Sequence, residues 1–206
     1  MTFPDQKFLN ASAFTKAYFN QLSQAAASLD ETRMDMATEL LSTAYENRRT
    51  VFACGNGGSA AISNHLHCDH LKGIQTDTPI KPRVVSLSSN IETITAIAND
   101  ISYDDIFLYQ LQTMADPGDV LITVSSSGDS ENVVKAAQWA KDNGLIVIAM
   151  TGFEGGRSAA LADVNLHISA DNYGVIEDVH QSLMHILAQY VRMIHMDDEL
   201  IEDRKF

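Results

Sequence analysis

Positive charge is what this sequence has least of. Its 14 Lys and Arg stand against 27 Asp and Glu, a formal net charge of −13 with histidine neutral. Such a surface repels nucleic acid and anionic membranes, so neither is an expected partner. An anionic substrate stays admissible, because local backbone donors outweigh a distant net charge. Cysteine is scarce too: Cys54 and Cys68 are the only two. That excludes a disulfide framework and favours a reducing cytoplasm. No apolar run reaches the ~18 residues a spanning helix needs. The opening MTFPDQKFLNASAF lacks a basic patch followed by an apolar run, so no signal peptide is expected. These absences predict a soluble, cytoplasmic protein. Linkers and low-complexity tracts are also missing, and Pro79 to Pro82 marks a surface loop only. A chain of 206 residues then reads as one domain, 1–206. Neither a Gly-Lys-Ser/Thr phosphate loop nor a G-x-G-x-x-G turn with a downstream acid occurs, which argues against a nucleotide ligand.

What is present alternates. Residues 10–48 are rich in Ala, Leu, Met and Glu, with apolar residues recurring every three or four positions (Phe14, Ala17, Tyr18, Leu22; Met36, Leu40, Leu41, Tyr45). Asp30 with Thr32 marks a break and a fresh N-cap, so two helices are predicted. An α/β core comes next, over 49–196. Thr50 to Cys54 is a short apolar run ending in Gly, Asn, Gly, Gly and Ser, a buried strand feeding a tight turn. A helix over 59–72 succeeds it. The unit recurs: a strand at 83–88 with a helix at 91–100, and a strand and helix within 119–144 closing on Asn143-Gly144. A strand at 145–152 leads to a short helix near 157–162, then a strand at 163–169 and a long helix over 175–196. Strands alternating with helices predict a parallel sheet covered on both faces. Ligands of open α/β sheets bind beyond the carboxyl ends of the strands. Both polar, glycine-bearing turns, Gly55–Ser59 and Ser125–Ser130, are placed there.

SSSGDS (125–130) sets four hydroxyls around one glycine at a helix start. One serine alone would read as a simple cap. Four, beside the positive end of the helix dipole, favour a phosphate, and a sugar phosphate over a nucleotide. A second cluster lies in NHLHCDH (64–70). His65 and Asp69 are four apart on one helix face and can chelate one divalent ion. His67, Cys68 and His70 point elsewhere. The last helix carries Glu177, Gln181 and His185 at four-residue steps on one face. Any one of these histidines could equally be a solvated or satisfied helix residue, and periodicity does not bring the two helices together.

Taken with AIANDISYDDIF and MTGFEGG, the motifs CGNGGSA, SSSGDSENVVKA and VHQSLMHIL resemble the phosphoheptose isomerases of the sugar isomerase (SIS) domain family, over about residues 50 to 190. The resemblance implies an α/β fold: a five-stranded parallel sheet flanked by helices, flavodoxin-like, with the N-terminal segment 1–48 used in oligomerisation. It implies a homotetramer with active sites at subunit interfaces. It implies an enzyme converting sedoheptulose 7-phosphate to D-glycero-D-manno-heptose 7-phosphate, for lipopolysaccharide or capsule heptose. Matched by motif, the substrate contacts fall on Asn56, Gly57, Gly58, Ser59, Asp100, Ser125, Ser126, Ser127, Ser130 and Glu177. One Zn²⁺ per subunit would fall on His65, Asp69, Glu177 and His185, with Asp69 as base and His185 as its partner acid. Asp69 replaces the family's glutamate and Glu177 its glutamine; Lys72 stands near the place of a family arginine. Two rivals remain: a non-catalytic relative that binds the replication initiator, and an isomerase of a different sugar phosphate.

Overall fold

The structure is a computed structural model and describes residues 2–206. Helices α1 (Ala11–Ala26) and α2 (Glu31–Glu46) precede the sheet. Each starts at a side-chain cap: Asn10 accepts from the Ala13 N–H, and Asp30 from those of Thr32 and Arg33. The strands are β1 (Thr50–Cys54), β2 (Arg83–Ser86), β3 (Val120–Ser125), β4 (Ile146–Thr151) and β5 (Val164–His167). They form one parallel sheet in the order β2-β1-β3-β4-β5, as the alternation predicted. The crossovers are carried by α3 (Gly58–Cys68), α4 (Ile91–Asp100), α6 (Glu131–Asp142) and α7 (Gly156–Leu161), and α8 (Tyr173–Ile194) comes after β5. The chain also forms a 3₁₀ turn at Tyr103–Asp105 and two short helices, α5 (Leu108–Met114) and α9 (Asp198–Ile201), for which the sequence offered no clear period.

Side chains alternate across the strands, so the sheet feeds two cores. Val51, Ala53, Val120, Ile122 and Val124 pack with Leu41, Leu66, Val175, Leu183 and Leu187, from α2, α3 and α8. Phe52, Cys54 and Leu121 point the other way, onto Ile97, Leu111, Val133 and Ala137 of α4, α5 and α6. Burial on that side pushes the Cys54 thiol up to about 12. No helix among the described residues is long and apolar enough to cross a membrane.

Two features position the site. The strand order reverses between β1 and β3, so the turns after these two strands sit side by side at the topological switch point. The other is a departure from the expected single helix over 59–72. At Asp69 the α-helix gives way to a π turn, Asp69–Gly73. A π turn closes i→i+5 bonds and rotates the facing of the residues beyond it. Here His70 is fully buried, with Nδ1 2.7 Å from the Tyr45 hydroxyl on α2. Its burial in the core holds the imidazole neutral, pushed down to about 4.

Candidate active site

The first turn approaches the second because it has almost no side chains. A Cβ on Gly55 would meet the Val124 carbonyl at 2.7 Å, and Gly57 adopts a positive φ of 55°. The two turns are then clasped by a pair of amides. Asn56 Nδ2 donates to Asn132 Oδ1 at 2.9 Å, and Asn132 Nδ2 donates back to Asn56 Oδ1 at 3.0 Å. The Tyr103 hydroxyl donates to the same Asn56 oxygen at 3.0 Å. Asn132 and Tyr103 did not stand out in the sequence. Asn132 has one signal, its place two residues beyond the serine loop.

The serine loop leans on its neighbour backbone to backbone. A Cβ on Gly128, whose φ is 68°, would strike the Gly155 carbonyl, and one on Gly156 would strike Gly128. Its four hydroxyls divide. The Gly128 N–H donates to Ser125 Oγ at 3.1 Å, and the Asp129 N–H to Ser127 Oγ at 3.3 Å; these two shape the loop itself. Ser126 Oγ is buried with no partner, and Ser130 precedes α6 without capping it. The first N–H groups of α6 have no intrahelical acceptor. Two hydroxyls and a helix terminus thus remain for an anion. Asp129 carries a like charge nearby, and Arg157 answers it. The Arg157 Nε and backbone N–H both reach Asp129 Oδ1 at 3.0 Å, while its Nη1 meets Glu131 at 2.8 Å. These bonds hold the Asp129 carboxyl below the usual carboxylate range.

The other end is built on α3 and α8. His65 lies six residues beyond Ser59, about 9 Å along the helix. Packing of α3 on α8 brings His65, Asp69 and His185 together, with ligand atoms all within 4.8 Å of one another. Asp69 uses both oxygens. Oδ1 is 3.3 Å from His65 Nε2, and Oδ2 is 2.9 Å from His185 Nδ1. Two imidazoles and a carboxylate are a donor set that suits a divalent cation of zinc's type. Gln181 joins them: its Nε2 stands 2.9 Å from His65 Nδ1 and 3.2 Å from His185 Nε2. Four side chains thus close a ring.

Glu177, grouped with the metal ligands by resemblance, lies outside this cluster. Its carboxylate rests on Gly58 at the start of α3, where any Cβ would collide with it. Burial, then the charge of Asp178, raises its pKa above the ordinary carboxylate value. Asp100 ends α4, exposed, and accepts from the Asn99 side chain at 2.7 Å. Within one chain it is not joined to either turn. Lys72 lies exposed in the π turn.

A family model described as "SIS domain" matches residues 14–152. The chain belongs to this family, and the two turns lie at the carboxyl ends of its strands β1 and β3. Among curated relatives it is similar to an enzyme named phosphoheptose isomerase from Shewanella denitrificans, 34% identical over 191 residues, covering 91% of this chain and 96% of that one. It is equally similar to the phosphoheptose isomerase of Shewanella sp. strain ANA-3, at 35% over the same length. Among solved structures, the phosphoheptose isomerase of Neisseria gonorrhoeae superposes with a TM-score of 0.80 at 31% identity, covering 88% of this chain and 96% of that chain. That of Francisella tularensis gives 0.81 at 27%.

Proposed function

We propose that this chain is a phosphoheptose isomerase, interconverting sedoheptulose 7-phosphate and D-glycero-D-manno-heptose 7-phosphate for lipopolysaccharide or capsule heptose. The observation that carries this reading is the pairing of an anion cradle with a carboxylate–imidazole couple on one helix. The turn that meets the serine loop opens α3, and α3 carries His65 and, at its end, Asp69.

The phosphate at C7 docks at Ser126, Ser130 and the start of α6, with Ser125 and Ser127 holding the loop in shape. Asn56, Gly57, Gly58 and Ser59 form the floor, and Glu177 lines it above Gly58. Remote binding of the phosphate orients C1 and C2 at the other end. An aldose–ketose exchange moves a proton between these carbons through an enediol. Asp69 takes the proton from the carbon beside the carbonyl, and the C–H electron pair forms the C=C bond. His185, 2.9 Å from Asp69, delivers and collects the proton at the oxygens. The carboxylate then returns its proton to the neighbouring carbon. Zinc is the cation assigned to His65, Asp69 and His185, and when bound it polarises the carbonyl and hydroxyl oxygens.

The working unit is a homotetramer with sites at subunit interfaces. Support comes from the exposed apolar residues Ile186 (50% exposed), Tyr190 and Ile194 of α8 and Met36 of α2. Asp100, exposed at the end of α4 and bonded there to Asn99, fits a residue delivered to a neighbour's site.

The test is turnover of sedoheptulose 7-phosphate by purified protein, before and after chelation and with zinc restored. Turnover that falls on chelation and returns with zinc is the expected result. Metal-independent turnover removes zinc from the mechanism, and no turnover in any state overturns the isomerase.

A further inference from the structure

We propose that Gln181, one turn along α8 from Glu177, is the residue that orients both histidines toward the metal, by holding the outer ring nitrogen of each. The inference rests on the assignment of a cation to His65, Asp69 and His185. The ring of hydrogen bonds gives it direction. An amide nitrogen donates two hydrogens and accepts none. With Nε2 facing both rings, His65 Nδ1 and His185 Nε2 are the acceptors. Each neutral imidazole then carries its proton on the inner nitrogen, His65 Nε2 or His185 Nδ1, and donates it to one oxygen of Asp69. All four contacts are satisfied.

A cation held by those inner nitrogens needs their lone pairs. The protons must then sit on the outer nitrogens, and both outer N–H groups need an acceptor. Metal-bound histidines commonly donate their second N–H to a fixed oxygen. A half turn of the terminal torsion puts Gln181 Oε1 where Nε2 stands, and that torsion is close to two-fold. An sp² oxygen accepts both hydrogens. One amide therefore serves both states, and among the described residues Gln181 is the side chain bonded to both outer nitrogens. Glu177, over Gly58, cannot take this part from where it lies. The swap of the family glutamine to glutamate at Glu177 is thereby separated from the metal: an amide is still supplied, one turn further on.

The experiment compares the full chain with Gln181→Leu, Gln181→Glu and Glu177→Gln. Zinc affinity is read by competition with a chromophoric chelator, and ring tautomers by ¹⁵N-edited NMR with and without zinc. Gln181→Leu is expected to weaken zinc binding about 10- to 100-fold, as loss of an orienting partner does. Gln181→Glu keeps or tightens it, because a carboxylate accepts from both N–H groups. Glu177→Gln leaves it at the parent value. The parent is expected to show inner-nitrogen protonation without zinc and outer-nitrogen protonation with it. Unchanged affinity in Gln181→Leu, or unchanged tautomers on loading, overturns the role of Gln181 and leaves the metal site standing. A parent that binds no zinc overturns the metal reading itself. Should Gln181→Leu not fold, the order of Gln181→Glu against Glu177→Gln and the parent tautomers decide.

Discussion

The two ends of the site are made by opposite means. The phosphate end is a fixed cradle of close backbone contact and side-chain clasps. Gly128 and Gly156 lie against each other's chain, the Asn56–Asn132 clasp joins two turns, and Arg157 ties off Asp129. The isomerising end is side chain. Its four groups come from two helices and meet through contacts of 2.9 to 3.3 Å, with His65 about half exposed. A charge that does not change during reaction is best held by a rigid cradle. Groups that trade protons need partners whose donors and acceptors can exchange. The difference separates binding from chemistry along one helix, α3.

The largest effect should come from the side-chain end. Asp69→Asn and His185→Ala are each expected to lower kcat by about 10²- to 10⁴-fold, the usual worth of a positioned acid or base. KM should move little, since the cradle is intact. Steady-state kinetics on both variants read this split, and a KM that rises as much as kcat falls would break the comparison. The backbone end should fail differently. Gly128→Ala must hold a left-handed φ and push its Cβ into the Gly155 carbonyl. It should cost about 3 kcal/mol of stability, combining strain and overpacking. Thermal unfolding measures that cost. Its residual activity should show a raised KM with kcat nearer the parent.

The smallest effect sharpens the boundary between the ends. His180 shares α8 with His185 but faces the core, its Nε2 3.2 Å from the Thr151 carbonyl at the end of β4. Burial pushes it down to about 4. The unfolded chain would bind a proton near 6.5. Between these values the unfolded state binds more protons than the native one, so stability rises with pH. It is fully present above about pH 6.5 and falls by up to about 1.4 kcal/mol per unit as the pH drops toward 4. Urea midpoints taken across that range should show the slope, to which buried His70 adds a like share, and His180→Gln should roughly halve it. An equal slope in the variant would assign the acid sensitivity elsewhere.

Much of this was legible in the chain. The helix over 91–100 and the strand at 50–54 fall where period and turn residues placed them. The caps at Asp30 and Asn143-Gly144 were written locally, in residues that bond their own neighbours. The tight turn of the serine loop was legible for the same reason. Local signals missed α5, a seven-residue helix too short to display a period, and ran the helix over 59–72 straight through the π turn. The turn carries His70, whose partner Tyr45 is 25 residues away in sequence.

Spacing on α8 nominated Glu177, Gln181 and His185 together, because four-residue steps put all three on one face. The sequence by itself determined that face, the opposing pair His65 and Asp69, and the two turns. Only the tertiary structure decided which members meet. The packing of α3 on α8 sets Gln181 and His185 against His65 and Asp69, and leaves Glu177 over Gly58. Helical periodicity is a property of one chain segment, whereas the height at which two helices cross is fixed by the core packed between them.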